Sequence, residues 1–306
     1  MIVNIDYNYV CSISGQRLSD QCSIIVSNGH YINCNGTTRE LISKAVNEFG
    51  SYTQKNLFRC YKGFDITREF RTYLTTVNIE DLGDALTPLL QEPSELLIEN
   101  SVYEWEVYKC LPEVYKHDPQ FKNLFALLSK AIKNHRLTFL HGGGHTQYGQ
   151  LIEQKNQYQH KGVYKLKCCA IFDRDTENDS SFDKNKNNHF KFFCNKNHQT
   201  MTHDDIYSLN QANGWTWHMW YKRAIENYFP KERYEEIGVS IGENELSDYV
   251  DIGKEYKPHG YDKKLLPKLA EEMSRSMYER NLKQFNVNNV NMSEIQLLLL
   301  KFVKLV

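Results

Sequence analysis

The sequence predicts an α/β protein built around a parallel, doubly wound sheet. From residue 94 onward, short apolar segments alternate with segments of helical periodicity, in the order strand, helix, helix, strand, helix, strand. Such alternation is typical of parallel sheets flanked by helices. Each apolar segment also ends in polar or glycine residues, and in sheets of this kind function collects at the carboxyl ends of the strands.

The predicted elements of this region follow one another closely. In chain order they are ELLIEN (95–100), VYEWEVYKCLPEVY (102–115), FKNLFALLSKAIKNH (121–135), RLTFLH (136–141), TQYGQLIEQKNQYQ (146–159) and YKLKCCAIFDRD (164–175). The polar stretch 180–198 is predicted to be an exposed loop or hairpin. A further helix is predicted in WHMWYKRAIENYFP (217–230).

We assign residues 94–235 to a catalytic domain and residues 1–93 to a separate α+β module. In this module, alternating patterns at 2–10 and 22–34 indicate strands. The segment TTRELISKAVNEF (37–49) opens with a capping box and is predicted to be a helix. The module contains no catalytic pattern, so we expect it to serve structure or partner contact.

Residues 236–306 form a predicted turn-rich and helical extension. Its final segment, IQLLLLKFVKLV, is too short to cross a bilayer and contains two lysines. It carries more apolar surface than a free terminal helix should expose. We therefore expect it to dock on its own core or on another subunit, which would make the protein a homo-oligomer.

The composition is that of a globular protein, with 41% hydrophobic and 25% charged residues. A formal net charge of −1 gives no global attraction to nucleic acid, so any such binding must come from local basic patches. The N-terminus lacks the features of a signal peptide, and the eight cysteines show no disulfide-scaffold spacing. We expect a cytoplasmic protein with no membrane partner.

Acidic residues stand at the ends of the first and third predicted strands. Asp173 and Asp175 are two residues apart, so both can turn to the same side of a fraying strand. Glu99 ends the first strand, and Glu104 lies one turn into the next helix. Because these two strand tips can lie side by side, we expect the carboxylates to converge. Converging carboxylates predict a site for Mg²⁺ or Mn²⁺.

Three other families place two aspartates at this spacing. An EF-hand loop would need Gly at Asn178 and Glu at Lys184, so it is excluded. A haloacid-dehalogenase-type phosphatase expects Thr or Val where this chain has Glu177. A nucleotide-sugar transferase also uses two aspartates one residue apart, and the sequence leaves that alternative open.

The segments LLIEN and IFDRD, with KRAIENYF at 222–229, resemble the TOPRIM domain of topoisomerases, primases and OLD-family nucleases, including defence-associated members. The resemblance covers about residues 94–230 and implies a Rossmann-like catalytic core. It implies that Glu99 acts as general acid or base and as a metal ligand, and that Asp173 and Asp175 hold Mg²⁺ or Mn²⁺. Glu104 would be a second acid of the first motif.

Other residues of this region are candidates for substrate contact. Gly143 and Gly144 allow close approach of a ligand to the backbone, although a tight turn alone would also account for them. Glu226 is a possible additional acid. The candidate phosphate-binding cations are Lys184, Lys186, Lys191, Lys222 and Arg223.

These observations predict a divalent-metal-dependent nuclease that cleaves DNA or RNA, tRNA included. The resemblance further implies a toxic effector of a bacterial anti-phage system. No Walker A sequence occurs, so a separate ATPase sensor would supply any NTP-driven control. The alternatives are a metal-dependent phosphatase with Asp173 as nucleophile, and a catalytically inactive scaffold or nucleic-acid-binding module.

Overall fold

The computed structural model describes residues 1–99, 101–142, 148–159, 162–241, 247–280 and 282–306. These residues form two compact units. The first consists of Met1–Pro93, Lys155–Lys167 and Lys304–Val306, and the second consists of Ser94–Gln154 and Cys168–Val303. Within the described ranges, every helix is too short or too polar to span a lipid bilayer.

The first unit contains a small parallel sheet with helices around it. Its strands are β1 (Ile2–Asn4), β2 (Tyr31–Asn33) and β3 (Thr76–Asn78), in the order β2-β1-β3. Both strand pairs are parallel. The helices are α1 (Tyr7–Ser12), α2 (Gly15–Ser27), α3 (Gly36–Phe49), α4 (Tyr52–Arg59), α5 (Arg68–Tyr73) and α6 (Leu86–Leu90). The parallel pairing corrects the predicted α+β class of this module.

The predicted strand at 22–34 is wrong over most of its length. Residues up to Ser27 belong to α2, which buries Leu18, Cys22 and Ile25 on one face. These buried residues are four and three positions apart, a spacing that places them on one face of a helix. The alternation of apolar and polar residues in this segment therefore did not indicate a strand. The predicted helix at 37–49 is α3, whose first turn is capped by the Asn35 side chain, which accepts from Thr38 N at 2.8 Å.

The second unit is built on a four-stranded parallel sheet. Its strands are β4 (Ser94–Ile98), β5 (Leu137–His141), β6 (Cys168–Phe172) and β7 (Thr216–Met219), in the order β5-β4-β6-β7. The first helices are α7 (Ser101–Val114), α8 (Lys122–Lys133) and α9 (Tyr148–Gln154). The predicted α/β class with a parallel sheet and flanking helices is therefore confirmed for this unit.

The remaining helices of the second unit are short. They are α10 (Asn187–Cys194), α11 (His203–Ile206), α12 (Lys231–Glu236), α13 (Ile252–Glu255), α14 (Leu266–Ala270), α15 (Arg275–Tyr278) and α16 (Glu294–Val303). A hairpin of β8 (Gln284–Val287) and β9 (Val290–Ser293) precedes α16. Its turn residues Asn288 and Asn289 have φ values of 54° and 62°, as a two-residue hairpin turn requires.

In the second unit, two segments have a secondary structure that differs from the predicted one. The predicted helix at 217–230 is instead β7 followed by a 3₁₀ turn, Ile225–Tyr228. All four residues of β7 are buried, and a pattern of only four residues does not distinguish a strand from a helix. The predicted exposed loop at 180–198 instead contains a 3₁₀ turn, Lys184–Lys186, and α10. Phe190 and Phe193 of α10 are buried, which accounts for the aromatic residues of this segment.

The apolar C-terminal segment packs inside its own chain. Every residue of α16 is buried, including Glu294 and Lys301. The Lys301 ammonium donates to the carbonyl oxygens of Ile206 at 2.5 Å and Trp217 at 2.7 Å. The apolar surface that raised the question of another subunit is therefore covered within the chain.

A buried polar network joins α16 to the end of β7. The Glu294 carboxylate accepts hydrogen bonds from Tyr221 N at 2.7 Å and from the Tyr228 hydroxyl. His218 Nε2 lies 3.0 Å from Glu294 Oε1. Burial lowers the pKa of His218 to about 4, although Glu294 opposes the shift. His218 therefore stays neutral in the folded protein.

This network predicts a specific loss of stability in acid. The unfolded chain protonates His218 near its ordinary pKa, whereas the fold resists protonation until about pH 4, so the free energy of unfolding falls as the pH drops through this window. The expected loss is about 3 kcal/mol. In His218→Gln this part of the pH dependence should vanish, as measured by urea unfolding from pH 7.5 to 4.

The matched control is the exposed His117, whose change to Gln should leave the wild-type dependence intact. Equal acid slopes in wild type and His218→Gln would contradict the assignment.

Candidate functional site

The candidate site lies where the strand order of the second sheet reverses. From β4 the chain continues to β5 on one side, whereas β6 and β7 lie on the other side. Loops that leave neighbouring strands in opposite directions open a crevice at their carboxyl ends. β4 and β6 pair in parallel with Ile98 opposite Ile171, so Glu99 and Asp173 follow these strands at the same edge. The structure thus brings the two predicted strand tips together.

The turn after β6 is held by backbone hydrogen bonds. Arg174 N and Asp175 N both donate to the carbonyl oxygen of Arg223, at 2.9 and 3.2 Å. Asp175 has a φ of 59°, in the left-handed region that non-glycine residues adopt infrequently. Such strained positions concentrate at functional sites, where the surrounding structure maintains them.

Arg174 anchors the turn between the two aspartates. Its side chain is fully buried, and Nε donates to Trp220 O at 3.3 Å. Nη1 donates to the carbonyl oxygens of Asp179 and Ser181, both at 3.1 Å. Nη2 donates to the Tyr207 hydroxyl at 3.2 Å. Arg174 was not among the candidate residues from the sequence, because its partners lie in segments that only the fold brings near.

Five carboxylates of the described residues meet at this crevice, accompanied by two lysines. The acids are Glu99, Glu104, Asp173, Asp175 and Glu226. All five were candidates from the sequence, and the structure brings all of them into one cluster. We call these five acids with Lys186 and Lys263 the acidic cluster.

Lys186 pairs with the acids of the two central strand ends. Its Nζ lies 2.5 Å from Glu99 Oε1 and 3.0 Å from Asp175 Oδ2. Burial opposes the charge on this ammonium, but Glu99 and Asp175, with help from Asp173, outweigh burial and raise the pKa of Lys186. The sequence analysis predicted Lys186 as a phosphate contact on an exposed loop. It is instead a buried partner of the acids, because it belongs to the 3₁₀ turn that packs under the cluster.

Lys263 pairs with the other acids. Its Nζ lies 2.8 Å from Glu104 Oε1 and 3.4 Å from Glu226 Oε1. Burial lowers the pKa of Lys263, but Asp173, Glu226 and Glu104 outweigh burial and raise it above the ordinary value. Lys263 was not among the candidate residues from the sequence, because its partner acids lie far away in the chain, on α7 and after β7.

Asp173 is the acid most affected by its surroundings. Burial raises the pKa of its carboxyl well above the usual range, against the attraction of the Lys263 ammonium. The carboxylates of Glu104, Glu226 and Glu99 raise it further. Burial likewise raises the pKa of Glu104 to about 7, again against Lys263. The acids therefore outweigh the lysines, and the cluster favours protons or another cation.

The donor chemistry of the cluster fits Mg²⁺ or Mn²⁺, which prefer carboxylate oxygens. Glu226 is only 6% exposed, and its Oε2 is buried without a hydrogen-bond partner in the described structure. Among the described residues, however, no three His, Cys, Asp or Glu side chains already form a metal cage. Lys186 and Lys263 stand between the acids. The donors therefore fit a hard cation, but binding requires rearrangement of a lysine.

A cleft of about 400 Å³ opens onto the acidic cluster. Among the residues that line it are Asp173, Asp175, Arg223, Glu226, Asn227, Asp251, Lys257, Tyr261 and Lys263. Arg223 Nη2 lies 3.2 Å from Asp251 Oδ2, so this cation is partly neutralised. The cleft combines buried acids with cations at its wall, and both are suited to a phosphate group that carries a metal ion.

The other predicted substrate contacts have different surroundings. Lys222, a predicted phosphate contact, is buried, with Nζ 2.7 Å from Asp248 Oδ1 and 3.1 Å from Asn227 O. Lys184 and Lys191 are exposed. Gly143 and Gly144 lie outside the described residues.

Comparison with models of protein families, with curated proteins and with solved structures yields no match to this chain. The function therefore has to be argued from the site itself.

The raised pKa of Asp173 predicts that an amide at this position stabilises the metal-free protein. The unfolded chain ionises Asp173 near pH 4, whereas the fold disfavours the carboxylate, so the penalty increases as the pH rises above about 4. In metal-free buffer at pH 7.5, Asp173→Asn should have a higher free energy of unfolding than wild type. The gain should shrink toward pH 4, as measured by urea unfolding.

Asp175→Asn is the matched control. It removes a partner of the buried Lys186 ammonium, so it should lower stability at neutral pH. If Asp173→Asn were less stable than wild type at every pH, burial of an unfavourable charge at this position would be disproved.

Proposed function

We propose that this chain is a divalent-metal-dependent nuclease of the TOPRIM type, which cleaves phosphodiester bonds of DNA or RNA, tRNA included. The proposal rests mainly on one observation. Carboxylates from the ends of β4 and β6, from α7 and from the turn after β7 converge at the strand-order reversal, with the buried Asp173 among them. Acids gathered from distant segments at such a crevice are typical of a catalytic metal centre.

In this proposal the acidic cluster holds Mg²⁺ or Mn²⁺, with Asp173 as the central ligand and Glu99, Asp175, Glu104 and Glu226 as the available further ligands. When bound, the ion lowers the pKa of water and offsets charge on the phosphate. Glu99 keeps the role of general acid or base that the resemblance implies. Glu104, with a carboxyl pKa of about 7, is suited to hold a proton near neutral pH and to release it.

The cations at the wall of the cleft favour a substrate that carries phosphate groups. Arg223, Lys257 and Lys263 line it together with the acids. A polyanion requires cations near a site whose own charge is negative, because the acids alone would repel it. This arrangement favours a nucleic-acid backbone over an uncharged substrate and does not distinguish DNA from RNA.

The biological setting belongs to the same proposal. We propose that the protein acts in the cytoplasm as the toxic effector of an anti-phage system, under the control of a separate ATPase sensor. This role follows from the likeness of LLIEN, IFDRD and KRAIENYF to defence-associated TOPRIM proteins.

A second candidate function is a catalytically inactive TOPRIM-like scaffold or nucleic-acid-binding module. The observation in its favour is that Lys186 and Lys263 neutralise part of the acidic cluster by direct ion pairs. In a scaffold, these pairs would be the permanent state of the site. The two candidates differ in whether the cluster binds a divalent ion and supports cleavage.

The proposal predicts metal-dependent cutting of nucleic acid by the purified full chain. Supercoiled plasmid, single-stranded DNA and total tRNA are each incubated with Mg²⁺, Mn²⁺ or EDTA, and products are resolved on gels. Cleavage of at least one polymer should need the metal ion, and Asp173→Asn and Glu99→Gln should each lower the rate by roughly 100-fold or more. Lys130→Ala, an exposed change on α8, should retain the wild-type rate.

Because a toxic effector can require its partner, the same variants are also expressed in cells under phage challenge. Loss of toxicity in Asp173→Asn, with Lys130→Ala still toxic, would support the nuclease. Cleavage or toxicity that survives both acid substitutions would refute it, and a trapped phosphoryl group on Asp173 would favour a phosphatase instead.

A further inference from the structure

The two lysines of the acidic cluster differ in how firmly they are held. The Lys186 side chain is 0% exposed, and its Nζ lies 5.8 Å from the centre of the Phe172 ring on β6. It has two carboxylate partners, Glu99 and Asp175, within 3.0 Å. To leave the cluster, this ammonium would have to cross a packed interior without a counter-charge.

Lys263 has a route out of the cluster. Its side chain is 28% exposed, and it lines the cleft. It begins a three-residue 3₁₀ turn, Lys263–Leu265, which follows the exposed Asp262. A rotation of its side chain can therefore move the ammonium into the cleft and keep it hydrated, without unfolding a packed element.

The acids around Lys263 would require another cation after its departure. Glu104 and Glu226 are 4% and 6% exposed, and Asp173 is 9% exposed. Three buried carboxylates without a counter-charge are strongly unfavourable. Glu226 also keeps one buried oxygen, Oε2, without a hydrogen-bond partner in the described structure while Lys263 is in place. The ammonium therefore does not satisfy all the oxygen donors of this subsite.

We propose that the cluster takes one divalent cation, bound between Asp173, Glu104 and Glu226, in exchange for the Lys263 ammonium. Lys186 stays in place as a fixed internal cation on Glu99 and Asp175, where it takes the position that a second ion would need. This inference rests on the metal dependence of the proposed function and assigns the ion to one side of the cluster. Lys263, once released, joins Arg223 and Lys257 at the wall of the cleft.

The exchange has a thermodynamic consequence. A cation that must displace Lys263 binds with its intrinsic affinity multiplied by the fraction of molecules in which the lysine has left the subsite. Removal of the competing ammonium should therefore tighten metal binding. A lysine that merely stabilised the site would have the opposite effect, because its loss would disorder the ligands.

The test is Mn²⁺ binding to the full chain, followed by electron paramagnetic resonance and calorimetry, with nuclease activity playing no part in the readout. Wild type should bind one Mn²⁺. Lys263→Met should also bind one, roughly tenfold more tightly. Lys263→Arg retains the competing charge and should resemble wild type, and Glu226→Gln should bind more weakly.

The outcomes separate this inference from the proposed function. Two Mn²⁺ ions in wild type, or weaker binding in Lys263→Met, would overturn the exchange and leave a metal-dependent nuclease standing. No Mn²⁺ binding by wild type or Lys263→Met would overturn both. If Lys263→Met fails to fold, the wild-type stoichiometry and the loss of affinity in Glu226→Gln still decide whether the single ion uses this subsite.

Discussion

The parallel pairing of β4 with β6 is the constraint on which the candidate site depends. Both strands are short, and the residues of β6 are all buried, so apolar packing sets their register before any acid contributes. A slip of one residue would reverse the face of every side chain. Because Ile98 lies opposite Ile171, Glu99 and Asp173 follow the two strands at the same edge of the sheet. The geometry of the acidic cluster is thus a consequence of the hydrophobic core beneath it.

The packing of the rest of the domain must also offset the electrostatic repulsion within the acidic cluster. Acids held close together repel, and burial adds to the penalty. Part of this cost is offset locally, by Lys186 and Lys263. The rest is borne by rigid supports around the cluster, above all Arg174, whose guanidinium fixes the turn between the two aspartates through contacts with four residues. The Glu294 carboxylate likewise fixes the end of β7 through its contacts with His218 and Tyr221 N.

The sequence was informative where function and core share one pattern. Apolar runs that end in acids predicted β4, β6 and the convergence of Glu99 with Asp173 and Asp175, because parallel strands bring their ends to one edge. It was uninformative where tertiary packing decides. β7 has only four residues, too few for its pattern to distinguish a strand from a helix, and Lys186 has the same local surroundings in sequence as any solvated lysine. Its burial is visible only once α10 and its preceding turn are folded.

The charge balance of the cluster bears on whether the site is structural or catalytic. In a buried polar network that serves stability alone, nearly every polar atom has a hydrogen-bond partner, because each unpaired oxygen costs free energy. Here a carboxylate oxygen of Glu226 has no hydrogen-bond partner among the described residues, Asp173 favours its neutral form, and the Lys263 side chain is partly exposed. Buried polar groups without such partners concentrate at functional sites, where a bound ligand supplies the missing contacts. The described acids and lysines therefore fit a site that exchanges its cation better than one that is permanently closed.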